Sequence, residues 1–304
     1  MMPTKLLQPD ESLLPAAFTN QWVDVGGLSI NAAVGGAGSP VLLLHGYPES
    51  HLMWRHVAAR LAERHTVVLA DLRGYGESDK PDPGPGDAAY AKRVMANDQV
   101  ELMRRLGFDG FQLVAHDRGA RVAQRLVLDR PEVVSRLALL DIVPTRHVYG
   151  HVDRALATAY YHWFFLASGG GVPERLVGSD PEFWVRSTIA RLTRPGASID
   201  EAAVVEYVRA HLDPRTVRAA SADYRAGASI DLEHDDETAR RGQRIEAPTL
   251  VAWGEHSYVG RSYDTLDVWR EYADDIHGVA LPAGHFLPEE RPDEVGQMLD
   301  DWLD

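Results

Sequence analysis

The sequence predicts an α/β fold with a mostly parallel, doubly wound sheet and one long helical insertion. Three observations predict it. Short, fully apolar runs recur along the chain, amphipathic helical spacing fills most of the intervals between them, and one interval holds helical pattern only. Continuous apolar strands suit a parallel sheet covered on both faces. Alternating strand and helix is the pattern of a doubly wound domain.

The chain opens with "WVDV" and "LSINAAV" flanking Gly26-Gly27, a hairpin signal that makes the start antiparallel. "VLLL" (41–44), "TVVLAD" (66–71), "FQLVA" (111–115), "RLALLD" (136–141), "TLVAW" (249–253) and "GVAL" (278–281) read as buried strands. Helical spacing covers 51–64, 90–106, 120–129, 263–274 and 290–303. "KPDPGPGD" (80–87) reads as a surface loop. From Pro144 to Arg244 there is no strand pattern, only helical stretches separated by "SGGG", "GSDP" and "TRPG". Such a span is too long for a βα connection. Residues 144–244 are therefore expected to form a helical cap on a core made of residues 1–143 and 245–304.

Hydrophobic residues make up 45% of the chain and charged residues 25%, an ordinary globular composition. No cysteine is present, which excludes disulfides and thiolate metal sites. The thirteen histidines show no chelating spacing, so neither a metal nor another cofactor is expected. A formal net charge of −14 argues against a nucleic-acid partner. The same field repels small anions, so an anionic substrate would need local cations to reverse the sign at its site. Residues 1–20 lack the apolar core of a signal peptide, and no run reaches the ~18 residues of a membrane span. A cytoplasmic, soluble protein with no membrane partner is the expectation.

The stretch "LVAHDRGARVAQ" (113–124) carries the chemistry. It has the form of a nucleophile elbow, which needs small residues two before and two after its crest, and Ala115 and Gly119 supply them. At the crest stands Asp117, with Arg118 beside it and Arg121 one helical turn on. "HGYP" (45–48) follows the first parallel strand, where an oxyanion hole is built in esterases. "AGHF" (283–286) places His285 after the last strand. The chain order of nucleophile, acid and histidine is that of an α/β-hydrolase. Alone, an Asp in a turn is a turn former or cap and His285 a packing residue; the combination is what points to a site. Two carboxylates can serve as the acid: Asp141 at one strand end and Glu255 after the penultimate strand.

A carboxylate nucleophile suits in-line displacement at saturated carbon, because it attacks without first losing a proton. The ester it forms has a carbonyl, so a histidine-activated water completes hydrolysis at the Asp117 carbon. The oxyanion would then meet the backbone N–H groups of Tyr47 and Arg118. Arg118 and Arg121, three apart at a helix start, share a face and are each suited to grip a carboxylate with two N–H bonds. The competing reading of Arg121 is a helix-surface ion pair, with Asp117 as a candidate partner.

These residues together resemble the fluoroacetate dehalogenases, a haloacetate-hydrolysing branch of the α/β-hydrolase superfamily. The resemblance rests on "HGYP", "DLRGYGESD", "AHDRGARV", "LLDIVPT", "YYHWFFLA", "DYRAGA", "DLEHD" and "GHFLPEE", spread over residues 45–290. It implies Asp117 as nucleophile, Asp141 as the acid and His285 as base. It implies Arg118 and Arg121 as holders of the substrate carboxylate, and His162, Trp163 and Tyr224 as hydrogen-bond donors to the leaving halide. It also implies a small anionic organohalogen substrate, no cofactor and a homodimer. In "YYHWFF", Tyr160, Tyr161, Phe164 and Phe165 are read as the cap's own core. Two positions depart from the defluorinating members, which carry tryptophan at Leu192 and lysine at Ala159. Leu192 is therefore a candidate determinant of pocket size, and a wider pocket would favour chloroacetate or larger 2-haloacids. An epoxide hydrolase with the same nucleophile is the rival enzymatic reading, and a hydrolase-fold protein that only binds a small acid is the non-enzymatic one.

Overall fold

Eight strands form one sheet, and its centre falls where the apolar runs are longest. A computed structural model of the chain describes residues 8–304, so the reading of residues 1–20 as no signal peptide falls partly outside the described residues. The strands are β1 (Thr19–Asp24), β2 (Ser29–Gly36), β3 (Ser39–Leu44), β4 (His65–Ala70), β5 (Phe111–His116), β6 (Val134–Leu140), β7 (Thr249–Gly254) and β8 (Ile276–Leu281). They lie in the order β1-β2-β4-β3-β5-β6-β7-β8. β2 pairs antiparallel with β1 and β4, and every other pairing is parallel.

The apolar runs are continuous because both faces of the sheet are covered. Leu42, Leu44, Val68, Leu113 and Leu139 belong to one buried layer. Their chain neighbours Val41, Leu43, Val67, Val114 and Leu140 belong to the other. Helices α1 (Arg55–Leu61), α2 (Lys92–Arg105) and α3 (Asp117–Asp129) make the first crossovers. α3 begins at the crest aspartate itself, three residues before the periodicity predicted, because Asp117 and the two residues after it have no apolar side chain to register in the pattern.

Between β6 and β7 the described residues contain no named strand. Eight helices fill that span: α4 (Thr145–Gly150), α5 (Arg154–Ala159), α6 (Tyr161–Leu166), α7 (Val172–Ser179), α8 (Pro181–Leu192), α9 (Glu201–His211), α10 (Pro214–Gly227) and α11 (Ile230–Arg240). α12 (Tyr258–Ser262), α13 (Thr265–Arg270), α14 (Leu287–Glu290) and α15 (Pro292–Leu303) complete the chain.

Two expectations are corrected. The helix expected over 263–274 is shorter: Asp264 accepts the Asp267 N–H at 3.1 Å and caps the start of α13, which ends at Arg270. "GVAL" is not a fully buried strand. β8 is an edge strand with β7 on one side only, and most of its residues are partly or fully exposed. Among the described residues no helix is long and apolar enough to cross a membrane.

Candidate active site

The crest of the elbow is strained and tightly enclosed. Asp117 has φ +45°, a left-handed conformation that is costly for any residue but glycine. Gly119 has to be glycine, because a Cβ there would sit 2.4 Å from the His45 carbonyl oxygen, which accepts the Gly119 N–H at 2.9 Å. Gly46 is bound in the same way, since its Cβ would meet the Asp117 Cβ at 2.6 Å. This closeness lets the Tyr47 N–H donate to Asp117 Oδ1 at 3.0 Å. Oδ1 is thus held by backbone, and Oδ2 faces His285 Nε2 at 3.8 Å.

His285 is oriented from its other side. Its Nδ1 lies 2.6 Å from Asp141 Oδ2, and Asp141 Oδ1 accepts from the Gly254 N–H at 3.0 Å and the Ser257 hydroxyl at 2.7 Å. Asp141 also has positive φ, +51°, fixed where β6 ends by its own N–H bond to the Ala252 carbonyl. Glu255, the other acid candidate, is exposed, and no hydrogen bond or ion pair joins it to His285. Behind the histidine, His116 Nε2 lies 2.8 Å from the His285 carbonyl oxygen, and the buried Glu49 carboxyl sits 3.4 Å from His116 Nδ1.

These neighbours set the charges. Burial acts to raise the Asp117 carboxyl, but His285, His116, Arg121 and Arg118 outweigh it and hold it at about 2. Burial acts to depress His285, yet the Asp141 bond and the charges of Asp141, Asp117 and Glu49 lift it to about 8.

The two arginines are not equivalent, contrary to the expectation of two matching forks. Arg118 is buried and its Nε and Nη2 are committed to Asp223: Nε to Oδ2 at 2.9 Å, Nη2 to Oδ1 and to the backbone carbonyl at 2.8 Å each. Lys92 and the Tyr75 hydroxyl bond the same carboxylate. Only Arg118 Nη1 is left for a ligand. The sequence gives no sign that Asp223, on α10, lies opposite α3. Arg121 differs. Its Nη1 donates to the Thr145 hydroxyl at 2.8 Å and the Val143 carbonyl at 3.2 Å, while its buried Nε has no partner. Among the described residues Arg121, 4% exposed, makes no ion pair, so it is neither on the helix surface nor paired with Asp117.

His162, Trp163 and Tyr224 come together above the elbow. The Tyr224 ring lies 6.0 Å from that of His162 and 6.2 Å from that of Trp163. The guanidinium of Arg118 stacks on Tyr224 at 4.2 Å, and that of Arg121 on Trp163 at 4.5 Å. Arg191 Nη2 lies 3.1 Å from His162 Nδ1, and burial, followed by that same arginine, pushes His162 down to about 3. His162 is neutral, and burial keeps the Tyr224 hydroxyl protonated.

Two aromatic assignments in "YYHWFF" change. Tyr161 is 42% exposed rather than core, because α6 buries the face carrying His162, Trp163 and Leu166. Tyr160 is buried and stacks on Trp163 at 5.7 Å, but it also lines the cleft that reaches His285. That cleft has a volume of 890 Å³, and Leu192 and Ala159 line it too. The Leu192 carbonyl accepts the His285 N–H at 3.0 Å, which ties the end of α8 to the loop that carries His285. Tyr160, Arg191 and Asp223 are the site residues that sequence reasoning missed. Each adjoins an assigned residue in the chain, but no pattern gave the direction of its side chain. Among the described residues no group of three or more His, Asp or Glu gathers that could hold a metal.

Comparison with known proteins places this site in context. The family described as alpha/beta hydrolase fold matches residues 39–292. The chain is 41% identical to a fluoroacetate dehalogenase of Burkholderia sp over 287 residues, 94% of each chain. It is 32% identical to a soluble epoxide hydrolase of Corynebacterium sp. strain C12, over 91% of this chain and 94% of that one. The crystal structure of ALR0039 from Nostoc sp PCC 7120 superposes with a TM-score of 0.92 at 48% identity, covering 94% of this chain and 98% of that one.

Proposed function

The chain belongs to the alpha/beta hydrolase fold family, and from that premise we propose that it hydrolyses the carbon–halogen bond of a short 2-haloacid such as fluoroacetate or chloroacetate. The observation that carries the reading is Arg121: a buried guanidinium with a bare Nε and no carboxylate partner, near an ionised Asp117. A buried cation without a counter-charge is costly unless an anion completes it. A substrate carboxylate does so, with Arg118 Nη1 as a second donor.

In this mechanism Asp117 Oδ2 attacks the substrate α-carbon in line with the halogen. The new C–O bond forms as the carbon–halogen bond breaks, and the halide leaves with the bonding pair. The Nε2 proton of His162, the Nε1 proton of Trp163 and the Tyr224 hydroxyl are neutral donors arranged to stabilise that developing charge. Asp117 is then an ester whose carbonyl oxygen, Oδ1, already accepts the Tyr47 N–H. His285 takes a proton from water, and the resulting hydroxide adds to the Asp117 carbon. Tyr47 and Arg118 N–H groups stabilise the oxyanion. Its collapse expels the product alkoxide, which takes the proton back from the imidazolium of His285, and Asp117, left as a carboxylic acid, gives its proton to solvent and is again ionised.

The rival epoxide reading uses the same nucleophile and base, but a neutral epoxide leaves Arg121 unanswered. The test is halide release from fluoroacetate and chloroacetate by purified protein, with Asp117→Ala as blank. Release above the blank supports the reading. No halide from either, with turnover of epoxides, would replace it by the rival.

A further inference from the structure

The cleft leading to His285 is much larger than its proposed substrate requires. A five-atom haloacetate needs on the order of 100 Å³, against a cleft of 890 Å³. The cleft reaches His285, while Asp117, Arg121, His162, Trp163 and Tyr224 lie beyond its lining, and its walls carry several arginines. Four arginines line it, Arg186, Arg191, Arg194 and Arg261, and one carboxylate, Glu201. Arg186 is neutralised by two carboxylates, Glu201 at 2.7 Å and Glu182 at 2.8 Å, so it adds no free positive charge to the cleft. The other three make no ion pair among the described residues. Arg191 bonds the Ala159 carbonyl and His162, Arg261 bonds the Ser257 carbonyl, and Arg194 Nε is buried with no partner. Elsewhere on this acidic surface arginines such as Arg104, Arg130, Arg146, Arg241 and Arg270 sit in exposed ion pairs.

We propose that Arg191, Arg194 and Arg261 form an anion-gathering mouth, which draws small organic carboxylates toward Arg121 and disfavours neutral halocarbons of the same size. The inference rests on the anionic-substrate reading and adds a second, outer site to it. The physical need is plain: at a net charge of −14 the protein as a whole repels the substrate. Three arginines without ion pairs around a partly enclosed cleft would oppose that repulsion locally, offset in part by Glu290, whose carboxylate accepts the Arg194 backbone N–H at 3.1 Å. Arg121 then receives an anion already concentrated at the mouth. Because the mouth is open to solvent, salt screens it over about 8 Å at physiological ionic strength.

The test uses the Asp117→Asn protein, which cannot form the ester, and measures chloroacetate binding by calorimetry at low and high salt. Adding Arg194→Gln and Arg261→Gln should weaken binding about threefold to tenfold at low salt. The difference should vanish at high salt. Arg175→Gln with Arg240→Gln removes the same charge from exposed positions that do not line the cleft and should leave binding unchanged. Equal affinity in the parent and the cleft variant overturns the mouth, as does an equal loss in the control variant. Absence of chloroacetate binding by the parent overturns the mouth and the anion reading together. Binding by the parent without halide release by the wild type removes the dehalogenase reading and leaves the mouth standing.

Discussion

Arg191 Nη2 lies 3.1 Å from Nδ1 of His162, and a guanidinium can only donate. Nδ1 is therefore the acceptor, and the ring proton of neutral His162 resides on Nε2. An exposed residue on α8 thus fixes the tautomer of a buried residue on α6, and does so in the sense that leaves Nε2 able to donate to a halide. Arg191→Met frees the ring to adopt either tautomer. The expected result is a fall of about tenfold in the single-turnover rate of fluoride release from fluoroacetate and a smaller fall in chloride release from chloroacetate, whose leaving group needs less help. Loss of charge at the mouth alone would lower kcat/KM for both halides equally. An unchanged fluoride-to-chloride ratio of these single-turnover rates would remove Arg191 from the halide argument.

The pH behaviour of the two chemical steps should separate. Asp117, held at about 2, stays ionised throughout the neutral range. His285, raised to about 8, is protonated below that value, and in the proposed mechanism it can no longer act as base as pH falls through it. Once Asp117 is an ester, one of the negative charges that raises His285 has gone, so its pKa in the intermediate lies below about 8. Steady-state turnover limited by ester hydrolysis should therefore decline on acidification with an apparent pKa below about 8. A single-turnover burst of halide should persist at pH 6. Rapid-quench halide release measured across pH checks this, and a burst that titrates together with kcat would contradict the division of labour. His285→Asn makes the same point without titration: it should release one halide per site and leave Asp117 carrying the carboxymethyl group, detectable by mass spectrometry.

What was legible in the sequence followed from chemistry that is local in the chain. The elbow announced itself through Ala115, Asp117 and Gly119, and the strands through runs that had to be apolar on both faces. The choice between Asp141 and Glu255 was not local. Both end strands, and only the fold shows that the positive φ of Asp141 turns its carboxylate to 2.6 Å from His285 Nδ1. The inequality of Arg118 and Arg121 was hidden for the same reason. It depends on Asp223, a residue 105 positions away, and no periodicity in either helix records which arginine that carboxylate will choose. β8 misled because an edge strand and a central strand can share one apolar composition.

Leu192 gives a prediction about substrate size. It lines the cleft, and its backbone carbonyl holds the His285 N–H, so the position is anchored while the side chain remains partly exposed. Leu192→Trp adds an aromatic wall without disturbing that backbone bond. kcat/KM should shift toward fluoroacetate relative to 2-chloropropionate, by roughly tenfold for a clash of about one methyl group. No change in the ratio would show that the wall lies outside the substrate's reach.

The last prediction concerns Asp223, which joins the helical insertion to the core through charge. Its carboxylate receives Arg118 from α3, Lys92 from α2 and the Tyr75 hydroxyl, all buried. Burial acts to raise it, but Arg118 and Lys92 hold it far below the ordinary carboxylate range. Lys92 is further tied to Asp231 of α11, which accepts its backbone N–H at 2.8 Å. Asp223→Asn keeps the shape and removes the charge, leaving the buried Arg118 facing a neutral amide and Lys92 with only the more distant Asp231 carboxylate at 3.8 Å. Removal of one partner of a buried ion pair costs about 3–5 kcal/mol, so the variant should unfold at distinctly lower denaturant. Arg118 would lose its anchor and gain freedom to swing its whole fork toward the substrate. Chloroacetate would then be held more tightly in the ground state while its α-carbon is displaced from Asp117 Oδ2. KM should fall or stay level while kcat drops, the opposite of what loss of a simple binding residue produces. Denaturant melts and steady-state kinetics on the same preparation check both halves. A rise in KM with kcat preserved would instead make Asp223 a binding support, with Arg118 contributing only through Nη1.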